Sequence, residues 1–135
     1  MTKMSVVYLG DLRTESTHES GAKIQTDAPK DNMGKGEAFS PTDLFALSLG
    51  TCMITLMGIT ARKLGVDIKG TSAEVEKTMV LAPHRRVGQV IIHIRSEYNP
   101  DEKNRLQLEK SALECPVHYS LHPDIKVDVD FTWGS

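Results

Sequence analysis

Cysteine is scarce in this chain: 135 residues hold two, Cys52 and Cys115. A framework of several disulfides is therefore excluded, and a lone pair of cysteines in a reducing compartment is more often redox-active, catalytic or free than a structural staple. An excess of one charge is also lacking. The net charge is −2 and Lys and Arg are scattered, which leaves no electrostatic footprint for nucleic acid or an anionic membrane surface. The N-terminal stretch Met1-Thr2-Lys3-Met4-Ser5-Val6-Val7-Tyr8-Leu9-Gly10 has neither the apolar run nor the small-residue cleavage site of a secretory signal, so a cytosolic protein is expected. Gly34-Lys35-Gly36 lacks the strand-loop-helix context of a phosphate loop, and nucleotide chemistry is not expected.

One long apolar run is present. Leu44 to Ala61 carries no charge and is long enough to span a bilayer, for which about 17–25 residues suffice. Its Ser48, Gly50, Thr51, Thr55, Gly58 and Thr60, together with the polar sequence on both sides, point instead to a core helix. A helix apolar all round must be covered all round. A chain of this length covers it more easily with a second copy, which predicts a homodimer with a shared core and no membrane partner.

No repeat, low-complexity run or linker divides the chain, so a single domain over residues 1–135 is expected. Three short strands are predicted over Val6–Leu9, Leu12–Thr17 and Ala22–Thr26, the last after a Ser20-Gly21 turn. Ser40, Pro41 and Asp43 read as N-cap, first helical residue and capping-box carboxylate of a helix that runs to Lys63 or Leu64 and stops at Gly65. Two strands of period two follow, Thr71–Leu81 and Val87–Glu97, with Ala73, Val75 and Met79 on one and Val90, Ile92 and Ile94 on the other. A second capping box at Asn99-Pro100-Asp101-Glu102 opens a helix to Leu113, Pro116 restarts it at Cys115, and Ile125, Val127, Val129 and Phe131 alternate along a last strand. This order is an α+β layout with antiparallel sheet.

The thiolate is the reactive form of cysteine, so each sulfur needs a reason for a lowered pKa. Pro116 at a first helical position makes Cys115 an N-cap facing free amides, and His118 stands three residues on. Cys52 lies in mid-helix beside Leu49, Met53 and Leu56, where burial alone works against the thiolate and a cation must come from elsewhere. From the residues alone, Cys115 is the attacking thiol. Asp43 reads first as a capping carboxylate, and Met53, Met57 and Met79 as core filler that could also wall a substrate pocket. Cys115, His118 and His122, at i, i+3 and i+7, would share a helical face, but a closed zinc site needs a fourth ligand and Pro123 ends the helix, so no metal is expected.

Two motifs add a resemblance. Ser-Pro-Thr-Asp-Leu-Phe-Ala-Leu-Ser-Leu-Gly-Thr-Cys, Ser40 to Cys52, and Cys115-Pro116-Val117 with its flanks resemble signatures of the OsmC/Ohr family of thiol-dependent hydroperoxide reductases. The resemblance implies an intertwined homodimer whose antiparallel sheets enclose long central helices. It implies attack on an organic hydroperoxide by Cys52, resolution by Cys115 as a disulfide, and an external dithiol reductant of lipoyl type, with thioredoxin or glutathione as alternatives. It implies no metal and no organic cofactor. The activating cation it calls for falls on Arg13, with Lys35 as second candidate, and Asp43 is carried as an acidic site residue. Thr42 stands where the organic hydroperoxide resistance branch has Glu, and that branch's glycine-and-arginine string is absent. Rival readings are a noncatalytic OsmC-like binder of small hydrophobic molecules and a redox- or metal-sensing protein.

Overall fold

Three N-terminal strands, β1 (Met4–Gly10), β2 (Arg13–His18) and β3 (Lys23–Asp27), form an antiparallel sheet in the order β1-β2-β3 in a computed structural model that describes residues 1–134. Asp11 and Leu12 alone connect Gly10 to its partner Arg13, and both have positive φ, 54° and 63°. Two-residue hairpin loops need that conformation to match the strand twist. Leu12, expected in a strand, is therefore a turn residue. Its N–H donates to Tyr8 Oη at 3.3 Å and its carbonyl accepts from Ala28 N–H at 3.1 Å. The chain divides into two compact units, and this sheet belongs to the first, Met1–Phe45.

The long helix α1 (Pro41–Leu64) starts in the first unit and has most of its length in the second, Ala46–Ser135. Its start is the reciprocal capping box expected: Ser40 N–H donates to Asp43 Oδ2 at 2.9 Å, and Asp43 N–H donates to Ser40 Oγ at 3.0 Å. Its end is a Schellman motif, with Val66 N–H on Ala61 C=O, Gly65 N–H on Arg62 C=O, and Gly65 at φ 72°. Strands β4 (Ser72–Val80), β5 (Arg86–Ser96) and β6 (Lys126–Trp133) form the second sheet in that order, and helices α2 (Glu102–Leu113) and α3 (Pro116–Ser120) lie between β5 and β6.

The core of the second unit gathers Leu49, Met53 and Met57 of α1 with Val90, Ile92 and Ile94 of β5, and with Ala112 and Cys115. The period-two reading of β5 is thus visible as burial of alternate residues. Gly50 lets helix and sheet approach, since a Cβ there would meet Val75 Cγ2 at 2.8 Å. Two expectations need correction. The cap of α2 is Asp101, whose carboxylate accepts from Asn104 N–H at 2.7 Å, so the cap lies two residues after the one expected at Asn99. The pairing of β5 with β6 is parallel, whereas the other strand pairs are antiparallel. Parallel neighbours need a crossover of a dozen or more residues, and the segment containing α2 and α3 supplies it. Trp133 Nε1 donates to Glu109 of α2 at 2.9 Å and fastens that crossover to β6.

On the face of this sheet away from the core, His93 of β5 bridges its neighbours, with Nδ1 2.6 Å from Asp130 of β6 and Nε2 3.0 Å from Glu76 of β4. The Asp130 hydrogen bond first, and the Glu76 bond second, hold the imidazolium above its ordinary pKa of 6.5. A raised pKa in the folded state means that the bridge contributes fully below about pH 6.5 and is lost as pH rises through the folded value. Denaturant midpoints are therefore expected to favour the parent over His93→Gln more at pH 5.5 than at pH 8.5. An advantage that did not change with pH would remove the ionic bridge.

Candidate functional site

Within the second unit, folding brings Cys52 and Cys115 together. Cys52 sits on the middle turns of α1, packed against the core and partly exposed, while Cys115 is 0 % exposed. Both are free thiols, and they pack in the same core, near enough for Cys52 to act on the Cys115 thiol. Burial pushes the Cys115 thiol above its usual pKa, and the Cys52 contact raises it further by stabilising the protonated form. The amides of His118 and Val117 pull the other way without closing a capping bond.

Cys115 is indeed the N-cap of α3 with Pro116 next, as expected. Burial works against the inference drawn from that cap, a Cys115 poised as thiolate. One short turn of amides does not offset removal of the sulfur from water. The pair is an enclosed thiol, its pKa pushed up by burial, beside a more accessible one. Of the three methionines, Met53 and Met57 are fully buried and fill the core, and Met79 packs against it partly buried.

Arg13 belongs to the first unit, where the sheet register sets it directly opposite Asp27. Its guanidinium lies 3.7 Å from Asp27 and 3.6 Å from Glu37. Asp27 is 1 % exposed, and its Oδ2 also accepts from Glu37 N–H at 3.0 Å, which ties the loop before α1 to the strand. Asp27 and Glu37 are the residues that sequence reasoning missed. The signal for Asp27 was the hairpin register, because Arg13 and Asp27 become cross-strand neighbours once the turns are fixed. Asp43 caps α1, and Lys35 lies exposed in the loop. The three-ligand face of Cys115, His118 and His122 does not form. Helix α3 ends at Ser120, and His122 Nδ1 accepts from Asp124 N–H at 3.0 Å.

Two three-stranded sheets, a long apolar helix and a paired thiol couple define an α+β protein of the OsmC type. Residues 34–130 match the family described as OsmC-like protein, and the chain belongs to it. That match runs through α1, so the one helix among the described residues that is long and apolar enough to cross a membrane falls within the matched OsmC-like region. A solved structure from Psychrobacter arcticus 273-4, provisionally described as an osmotic stress induced and detoxification response protein, is 52% identical. The similarity covers 97% of this chain and 96% of that one, with a TM-score of 0.91. The OsmC like protein of Mycoplasma pneumoniae shares the fold at 16% identity and TM-score 0.83, covering 100% and 98% of the two chains. The organic hydroperoxide resistance protein OhrB of Bacillus subtilis shares it at 17% identity and TM-score 0.71, covering 98% of each. No curated protein matches.

Proposed function

We propose that this protein is a cytosolic, homodimeric thiol peroxidase that reduces organic hydroperoxides through Cys52 and Cys115, both units acting as parts of one OsmC-like domain. The observation that carries the reading is the packing of a partly exposed Cys52 and a fully enclosed Cys115 into one core. A peroxide must reach the sulfur it oxidises, and Cys115 offers no surface for that approach. Cys52 as thiolate attacks the O–O bond, which breaks to release an alcohol and leaves Cys52 as sulfenic acid. Cys115 then forms the S–S bond, and the sulfenic oxygen leaves as water. A dithiol, for which a lipoyl-type carrier is our first candidate, restores both thiols by exchange and departs oxidised.

The reading is tested by turnover. With cumene hydroperoxide and a dihydrolipoyl reductant, peroxide consumed should equal dithiol oxidised. Binding of the hydroperoxide with neither turnover nor oxidised cysteine would support the noncatalytic binder instead.

Arg13 is our assignment for the activating cation, on the ground that two carboxylates hold its guanidinium. Arg13→Ala is expected to slow Cys52 oxidation roughly tenfold, the effect of about 1.4 kcal/mol of lost stabilisation of the reacting thiolate. An unchanged oxidation rate would leave Arg13 as a clamp on Asp27 and shift the search to Lys35.

A further inference from the structure

We propose that the external dithiol reopens the disulfide by attacking the sulfur of Cys52 and expelling Cys115, an inference that rests on the dithiol reading above and gives each sulfur its part in the return half of the cycle. Thiol–disulfide exchange joins the incoming thiolate to one sulfur while the other departs, and the thiolate has to arrive along the S–S line, behind the sulfur it attacks. The two ends of this bond differ in what stands behind them. Cys115 is 0 % exposed and lies in the core with Leu49, Met53, Ile92 and Ala112, so protein fills the space around its sulfur. Cys52 is partly exposed and stands on the border between two faces of α1. Leu49, Met53 and Met57 are buried on one side of it, and Thr51, Thr55 and Ile59 are exposed on the other.

Leaving-group chemistry argues the opposite way. The sulfur with the lower thiol pKa departs faster, and burial holds the Cys115 thiol above its usual value. Access decides between the two effects. A poorer leaving group slows exchange, whereas a sulfur without a line of approach is not attacked until the core opens. The amides of Val117 and His118 also act on Cys115 in the direction that favours its thiolate, which eases its departure. One thiolate of the dithiol therefore bonds to the Cys52 sulfur, the Cys52–Cys115 bond breaks, and Cys115 leaves with the electron pair and takes up a proton. The carrier's second thiolate then attacks the carrier's own bound sulfur, Cys52 departs as thiolate, and the carrier leaves as a cyclic disulfide, having given two electrons to the protein. A monothiol completes only the first of these steps, because Cys115 stands ready to close the bond again. A second thiol on the same carrier, present at high effective concentration, carries the exchange forward.

The test uses that arrest. Parent protein is oxidised with one equivalent of cumene hydroperoxide or, in a parallel sample, with diamide, and is then mixed with the monothiol 2-mercaptoethanol. Samples are quenched in acid over time, unfolded, blocked with a maleimide and read by peptide mass spectrometry. At the earliest times mercaptoethanol is expected on Cys52 and maleimide on Cys115, in roughly tenfold or greater excess over the reverse pattern, a difference of about 1.4 kcal/mol between the two barriers. Mercaptoethanol on Cys115 in equal or larger amount would overturn the proposal. A pair that closes with diamide alone ends the peroxidase reading while the choice of sulfur is still read from the adduct, and a pair that closes with neither oxidant overturns both.

Discussion

Replacing Cys52 with serine is expected to reduce hydroperoxide consumption to the uncatalysed background, whereas Cys115→Ser is expected to retain the first oxidation and stop there. The difference follows from access. Cys52 is reachable from solvent and Cys115 is not, so a hydroperoxide meets the first sulfur and never the second. In the parent protein, peptide mapping after one equivalent of hydroperoxide is expected to show a Cys52–Cys115 disulfide and no stable sulfenic acid. The packing of the two cysteines in one core is the ground for that expectation. In Cys115→Ser, dimedone is expected to label Cys52 with close to one equivalent per chain, and slow consumption resumes only if the external dithiol reduces the sulfenic acid directly. The result that would sink this assignment is a sulfenic acid on Cys115 in Cys52→Ser. It would mean that the enclosed sulfur opens to substrate and that the N-cap amides, not burial, govern its chemistry.

That alternative is the one favoured by the residues read alone, and it shows where sequence reading stops. Local chemistry was legible: Ser40 and Asp43 exchange the two bonds of a capping box, Cys115 and Pro116 begin a helix, and β5 buries alternate residues. Each of these is fixed within a few residues of chain. What depends on distant chain was not legible. Cys115 sits in the core with Leu49, Met53 and Ile92, so its thiol is pushed up where its own helix start argues for a lowered value. The meeting of Cys52 with Cys115 likewise came from the resemblance of two motifs, since neither spacing nor periodicity records it. The parallel pairing of β6 escaped because alternation fixes which face a strand buries and says nothing of its direction. Asp27 escaped for a milder reason: its partner Arg13 is visible only after both hairpin turns are set.

The protein is expected to sediment as a dimer at low micromolar concentration and to unfold in one transition whose midpoint rises with protein concentration. Only about a third of the most apolar part of α1 is buried within the chain, and Phe45 and Ile59 are left 40% and 47% exposed. A groove of about 350 Å³ runs between the helix and edge strand β4, lined by Leu47, Gly50, Ile54, Ala73 and Val75 among others. In the first unit, β1 is exposed almost throughout, with Val6 at 66% and Tyr8 at 63%. Apolar surface on this scale marks an interface in a soluble protein. Obligate interfaces bury about 2,000 Å² or more. Because folding and association are then one equilibrium, dilution must act as a denaturant. Ile54→Lys, which places a charge in the groove beside α1, is expected to abolish the folded state rather than yield a folded monomer. A stable, folded monomer at low micromolar concentration, in the parent or in this variant, would mean that each chain covers its own helix, and the shared-core argument would fall.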